Sequence, residues 1–223
     1  MSGYKLQGEV FPNNSNQSGC SNYDLEVLDL SYNNFSDKLP SWLGKYKKLK
    51  YLALNSNSFS CPILHSLGEL VNLILLDLSS NRFHGVIPRS IGQLQNIDTL
   101  DLSSNFFTGV IPQSLGKLEK TTFMSLARTI SHLDRWTAMK SLQTLCLSNN
   151  QINGSIPENL DEVIPKLQYL ALDNNHINGS IPTSLCKLKA LASLDISSNK
   201  LSGRIPDCWG NGPMEDIDLS SNN

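Results

Sequence analysis

The sequence lacks a long apolar run, a strong charge of either sign and a dense set of cysteines. Its longest apolar stretches, such as Leu73 to Leu76, fall far short of the roughly 20 residues that span a bilayer. Formal net charge is -2, from 18 basic and 20 acidic residues. No field over the whole surface draws in a polyanion, so nucleic acid and membrane are poor candidates as partners. The first residues, MSGYKLQGEVFPNNSNQSGC, contain no apolar core of a secretory signal. Five cysteines are too few and too scattered for a disulfide scaffold, and none has the paired spacing of a zinc site. The four histidines (His65, His84, His132, His176) form no H-E-x-x-H pattern, and none stands at a suggestive spacing from Cys146. A G-x-S-x-G elbow, a Gly-rich phosphate loop and kinase signatures are missing as well. These absences predict no catalytic residue, no metal site and no cofactor.

What fills the chain instead is repetition. LILLDLSSNRFHGVIPRSIGQLQN (73–96) is followed by IDTLDLSSNFFTGVIPQSLGKLEK (97–120), and the pattern L-x-x-L-x-L-x-x-N-x-F/I/L-x-G-x-I-P-x-x-L-G-x-L recurs with a period of about 24 residues. Such a period predicts an α/β solenoid of about nine turns over residues 1–223, with no single central core. In L-x-x-L-x-L the leucines alternate with polar residues, which predicts short strands stacked in parallel about 4.8 Å apart. The asparagine column (Asn33, Asn57, Asn81, Asn105, Asn150, Asn175, Asn199, Asn222) is suited to satisfy backbone groups at a sharp turn, since an amide both donates and accepts. Phe35, Phe59, Phe83, Phe107, Ile152, Ile177 and Leu201 fill the interior behind it. Glycines such as Gly85 suit a bend of unusual φ, and prolines such as Pro88 lead into a short helical turn.

Full units begin at Leu25, Leu49, Leu73, Ile97, Leu142, Leu167 and Leu191, with a partial unit from Met214. The chain thus starts and stops inside a unit, without the polar caps that close such coils, and reads as a piece of a longer protein. Residues 121–141 break the rhythm. Met124 and Leu126 still fit a strand, but Thr129 replaces the turn asparagine, and Ser131 to Asp134 resembles a helix start. This stretch reads either as a degenerate repeat that still packs or as an insertion whose Arg135 and Trp136 contact a ligand.

The unit as written in LDLSSNRFHGVIPRSIGQL (76–94), LSNNQINGSIP (147–157) and LDISSNKLSGRIPDCW (194–209) resembles the plant-specific class of leucine-rich repeat. Within that class the chain resembles the ectodomains of plant receptor-like proteins, of the xylanase-receptor-like group in defence signalling. The resemblance implies a right-handed superhelix with its parallel sheet on the concave face and short 3-10 or helical turns on the convex face. It further implies a non-enzymatic module outside the plasma membrane or in the cell wall. Such a module holds a peptide, protein or glycan ligand on its concave face, with a co-receptor kinase as a possible second partner. A secreted inhibitor of microbial wall-degrading enzymes, of the polygalacturonase-inhibitor kind, and a non-functional truncated receptor share the same unit and stand as alternatives.

The variable strand positions give the candidate ligand-binding residues. Tyr32, Tyr51, Ile74 and Leu75 place aromatic and apolar groups on adjacent strands, as protein interfaces often do. Gln143 and Tyr169 follow on later strands. Asp29, Asp77, Asp101, Asp195 and Asp218 recur at the fifth position, either as a structural ladder bonding to neighbouring strands or as an attraction for a basic peptide. Sequons at Asn13, Asn16, Asn34, Asn153 and Asn178 fall at turns or loops by register and fit a secreted glycoprotein. Cys186 and Cys208 lie on neighbouring turns, where the family often carries cysteines. They are expected to form a bridge, the alternative being two buried thiols. Cys20, Cys61 and Cys146 have no obvious mates.

Overall fold

The computed structural model describes residues 6–8, 24–36, 38–126, 138–208 and 213–223. Nine three-residue strands form one parallel sheet in which each strand pairs with its successor along the chain. They are Val27–Asp29, Tyr51–Ala53, Leu75–Asp77, Thr99–Asp101, Phe123–Ser125, Thr144–Cys146, Tyr169–Ala171, Ser193–Asp195 and Asp216–Asp218. The register never slips: Val27, Tyr51, Leu75, Thr99, Phe123, Thr144, Tyr169, Ser193 and Asp216 stand side by side. Opposite the sheet the chain returns through one-turn helices. Among the described residues, four are 3-10 turns (Ser41–Lys45, His65–Glu69, Arg89–Gln93, Gln113–Lys117) and two are α-turns (Leu160–Val163, Ser184–Lys187). The inward leucines of each strand, such as Leu76, Leu78, Leu100 and Leu102, have no exposed surface and form one continuous core with leucines of the helical turns.

Three stacked columns tie the turns together. The first is the asparagines. Asn81 Nδ2 donates to the carbonyls of Leu78 (3.2 Å) and Ser79 (3.0 Å) in its own turn and of Leu54 (2.9 Å) in the turn before. Its Oδ1 accepts the N–H of Phe59, again in the preceding turn, at 3.0 Å. Asn105, Asn175 and Asn199 repeat this set of bonds. The amide uses both its halves, as the sequence predicts, and uses them between turns as well as within one.

The second column is the phenylalanines. Phe59, Phe83 and Phe107 lie ring over ring, with centroids 6.1 and 6.3 Å apart and planes within 17° and 7° of parallel. Phe35 tilts onto Phe59 at 6.4 Å. From Ile152 onward aliphatic side chains take over the slot.

The third column is glycine on the helical side. A Cβ built on Gly68 lies 2.2 Å from the Ser90 carbonyl oxygen, and on Gly44 and Gly92 it meets Ser66 and Ser114 in the same way. These glycines permit the close approach of one helical turn to the next. Gly85, with φ of +78°, serves the other use of glycine, the bend after the asparagine turn. Less expected is the residue before each asparagine. Tyr32, Ser56, Ser80, Ser104, Asn149, Asn174, Ser198 and Ser221 are all left-handed, with φ between 53° and 57°. Tyr32 is the bulkiest of them, and an aromatic side chain is rarely found there.

A second set of short parallel pairings lies beyond the asparagine turn: Gln7–Gly8 with Asn34–Phe35, His84–Gly85 with Phe106–Phe107, and His176–Gly179 with Asn153–Gly154 on one side and Lys200–Leu201 on the other. In the irregular stretch, Met124 and Leu126 are buried and Phe123–Ser125 is the fifth strand, as their spacing implies. The helix start expected from Ser131 to Asp134, with Thr129, Arg135 and Trp136, lies outside the described residues.

Candidate functional site

The strands leave one long open face, because the third and fifth residues of every repeat, which are the first and third of its strand, point away from the leucine core. On this face the third-position column runs Val27, Tyr51, Leu75, Thr99, Phe123, Thr144, Tyr169 and then turns polar at Ser193 and Asp216. Tyr51 and Tyr169 are 41% and 39% exposed, and Val27 is 55% exposed. Leu75 sits directly beside Tyr51, with Ile74 immediately before the same strand. The structure sets Tyr32 apart from them: it occupies the turn after the first strand and is 68% exposed. Gln143 is at the second position of its repeat, one residue before the strand, and half-buried. Phe123 belongs to the column and escaped the sequence reading, which had set its irregular turn aside. Counting back one residue from Met124 recovers it.

The fifth-position aspartates have a structural task, but a different one from a ladder between strands. Oδ1 of Asp29, Asp77, Asp101, Asp195 and Asp218 each accepts the backbone N–H of the serine two residues on, at 2.8–3.0 Å. Asp-x-Ser closes its own turn, because a short carboxylate reaches the N–H of residue i+2 without leaving the strand. The bond leaves the charge in place. Hydrogen bonds from Ser31 and Ser220 hold the Asp29 and Asp218 carboxyls below the ordinary range.

Asp101 differs. Burial pushes its carboxyl up from 3.8 and the neighbouring Asp77 charge adds to this, against hydrogen bonds from Ser103 and Ser125. The folded chain therefore holds this proton to higher pH than the unfolded chain does. Its contribution to stability is greatest at low pH and declines as pH rises from about 3.8 through the folded value. Asp101→Asn keeps an acceptor for the Ser103 N–H and removes the charge. Thermal melts are expected to show the variant more stable than the parent at pH 7, with the advantage vanishing below pH 3.8. An equal advantage at both pH values would show that charge is not the cause.

Cys146, next along this column after Ser125, is a half-buried free thiol. Burial, with the charges of Asp101 and Asp173, pushes it up to about 11. At neutral pH it holds on the order of a hundredfold less thiolate than an unperturbed thiol, the opposite of what a nucleophile needs. Iodoacetamide at pH 8 is expected to label Cys146 at least about tenfold more slowly than a free-cysteine peptide, since thiolate sets the rate. Mass spectrometry of the Cys146 peptide reads this out, and a rate equal to the free peptide's would contradict the assignment.

Charge is sorted between the two sides of the coil. Among the described residues, the strands, the residue before each and the turn up to the asparagine after it together carry Glu26, Asp29, Asp77, Asp98, Asp101, Asp173, Asp195, Glu215, Asp216 and Asp218. The one cation among them is Lys50, paired with Glu26 at 2.8 Å. None of these carboxylates is fully buried. A chain close to neutral as a whole therefore has an acidic open face, which the net charge of -2 concealed. Among the described residues, no His, Cys, Asp and Glu groups cluster in a way that would hold a metal ion, and no helix is long and apolar enough to cross a membrane.

Of the sequons, Asn34, Asn153 and Asn178 are exposed and sit in the short second pairings rather than in loops. Asn13 and Asn16 lie outside the described residues, as does Cys20. Cys186 faces Cys208 with Cα atoms 5.7 Å apart, the separation at which a disulfide forms. Cys61 is buried and free.

Three family models, each described as a leucine-rich repeat, match residues 24–46, 71–129 and 121–205. No curated protein matches the chain. Among solved structures, the Arabidopsis receptor kinase HAESA, in complex with the peptide hormone IDA and the co-receptor SERK1, is 38% identical with a TM-score of 0.86. The alignment covers 91% of this chain and 34% of that one. The ectodomain of the Arabidopsis receptor kinase GASSHO1/SCHENGEN3, in complex with CASPARIAN STRIP INTEGRITY FACTOR 2, is 28% identical with a TM-score of 0.70, over 90% of this chain and 28% of that one. A leucine-rich-repeat protein of Leptospira interrogans is 28% identical with a TM-score of 0.77, over 90% and 50%. The chain thus spans about a third of the length of the plant receptors it matches.

Proposed function

The chain belongs to the leucine-rich-repeat family, and on that premise we propose that its work is recognition: it captures an extracellular peptide ligand on the open face of its sheet and catalyses nothing. The observation that carries this reading is the unbroken register of nine strands, which lines Tyr51, Leu75, Phe123 and Tyr169 into one partly exposed column. Aromatic groups held at fixed spacing on a rigid wall are what a binding surface needs, since little ordering remains to be done when the partner arrives. The likeness to HAESA, itself solved with a peptide hormone and a co-receptor, supports a place in a plant cell-surface receptor and a kinase co-receptor as second partner. Defence or developmental signalling is the setting that fits. Ile74, Gln143, Asp77, Asp101 and Asp195 flank the column and complete the surface. Glycans on Asn34, Asn153 and Asn178, and a Cys186–Cys208 bridge, fit an extracellular home.

The test is selection of a random decapeptide pool on the immobilised chain, with two variants run in parallel. One carries Tyr51→Ser, Leu75→Ser and Tyr169→Ser on the open face. The other carries Lys47→Ser, Arg89→Ser and Lys117→Ser on the helical side. Retained peptides should be lost by the first and kept by the second. Peptides retained equally by both would refute the reading.

A further inference from the structure

The odd-numbered strands of the sheet carry apolar third-position residues, Val27, Leu75, Phe123 and Tyr169 on the first, third, fifth and seventh, and from the third strand to the seventh they alternate with threonine. Thr99 and Thr144 separate the last three, and Tyr51 adds to the first gap. With strands about 4.8 Å apart, the apolar points recur about every 9.6 Å across the face. A ligand lying across the strands must present its own apolar side chains on one side at that interval. A β-extended peptide does not, because its same-side residues recur about every 6.6 Å. A helix of 1.5 Å rise returns to one side about every 5.4 Å. A polyproline II chain, with three residues per turn and a rise of about 3.1 Å, returns every 9.3 Å. The charge on the face selects the residues between, since among the described residues ten carboxylates against one paired lysine repel an acidic ligand and attract a basic one.

Resting on the recognition reading above, we infer that the ligand of this face is a cationic peptide in the polyproline II conformation. It carries an apolar side chain at every third residue and Lys or Arg between. Four apolar positions in ten residues reach from Val27 to Tyr169, about 28 Å at that rise.

The probe is a labelled decapeptide, (Leu-Pro-Lys)3-Leu, followed by fluorescence anisotropy. Three comparison peptides separate the parts of the claim: the same residues reordered so that no apolar period of three remains, (Leu-Pro-Glu)3-Leu, and (Gly-Pro-Lys)3-Gly. The first peptide should bind saturably, with affinity about tenfold above the reordered and glycine peptides, and the acidic one should not bind. Tyr169→Ser, at an exposed site that leaves the fold intact, should lower that affinity about tenfold. Asp195→Asn with Asp216→Asn should lower it and flatten its salt dependence. Equal binding of the ordered and reordered peptides overturns the inference, as does binding of the acidic one. If pool selection instead returns face-dependent peptides without this pattern, the inference falls and the recognition reading stands. If no peptide depends on the open face, both fall.

Discussion

Asn81→Ala is expected to cost about 4 kcal/mol and to lower the melting temperature by on the order of 10 °C. The side chain is 6% exposed and makes four hydrogen bonds, three donated and one accepted. Alanine leaves the Phe59 N–H unpaired, at about 1–3 kcal/mol, and takes one bond from each of three carbonyls, at about 0.5–1.5 kcal/mol apiece. The Leu54, Leu78 and Ser79 carbonyls keep their bonds from Asn57, Asn105 and Ser56. Two companions locate the cause. Asn81→Asp keeps the acceptor and loses the donors, so it should fall between parent and alanine. Asn33→Ala, at the half-buried start of the column, should cost less than Asn81→Ala. Urea unfolding followed by circular dichroism measures all three, and a loss below about 1 kcal/mol for Asn81→Ala would remove the column from the stabilising framework.

Phe83→Ala is expected to cost about 3–5 kcal/mol, the usual range for emptying a core aromatic site. Phe83 has no exposed surface and touches a ring on each side, Phe59 at 6.1 Å and Phe107 at 6.3 Å. Removing it opens a cavity in the middle of the stack, where neither neighbour can close in without breaking its own turn's register. Phe83→Leu should cost less than about 1.5 kcal/mol, because it roughly keeps the volume. The later turns already hold Ile152, Ile177 and Leu201 in this slot. Equal losses for the two variants would mean that ring stacking, rather than filled volume, holds this half of the coil.

Much of this was open to reading because the sequence says the same thing many times. A column such as Asn57, Asn81, Asn105 declares a shared environment, and the leucine spacing gives the strand register before any coordinates. What stayed hidden depends on contacts between turns or on a local geometry the letters do not encode. Nothing in serine marks Ser80 as left-handed. Its N–H bonds the Ser103 carbonyl and the next N–H, of Asn81, bonds that of Ser104, so neighbouring turns hold the conformation. The aspartate column read either as a ladder between strands or as an attraction for a basic peptide, yet its bonded partner is the serine two residues on, which a pattern read down the columns overlooks. The acidity of the open face was masked by lysines elsewhere. Phe123 was masked by the missing asparagine at position 129, which made a sound strand look like part of an interruption.

The glycines on the helical side govern more than their own turns. A methyl group at Gly68 would act as a shim between two helical turns while hydrogen bonds keep the strands opposite at their spacing. The coil would splay at its back and bend more tightly at its front, pinching together the tips of Tyr51 and Leu75. The length of ligand that fits is therefore adjustable by substitutions that no ligand ever touches, and two such proteins with identical strands could still choose different partners.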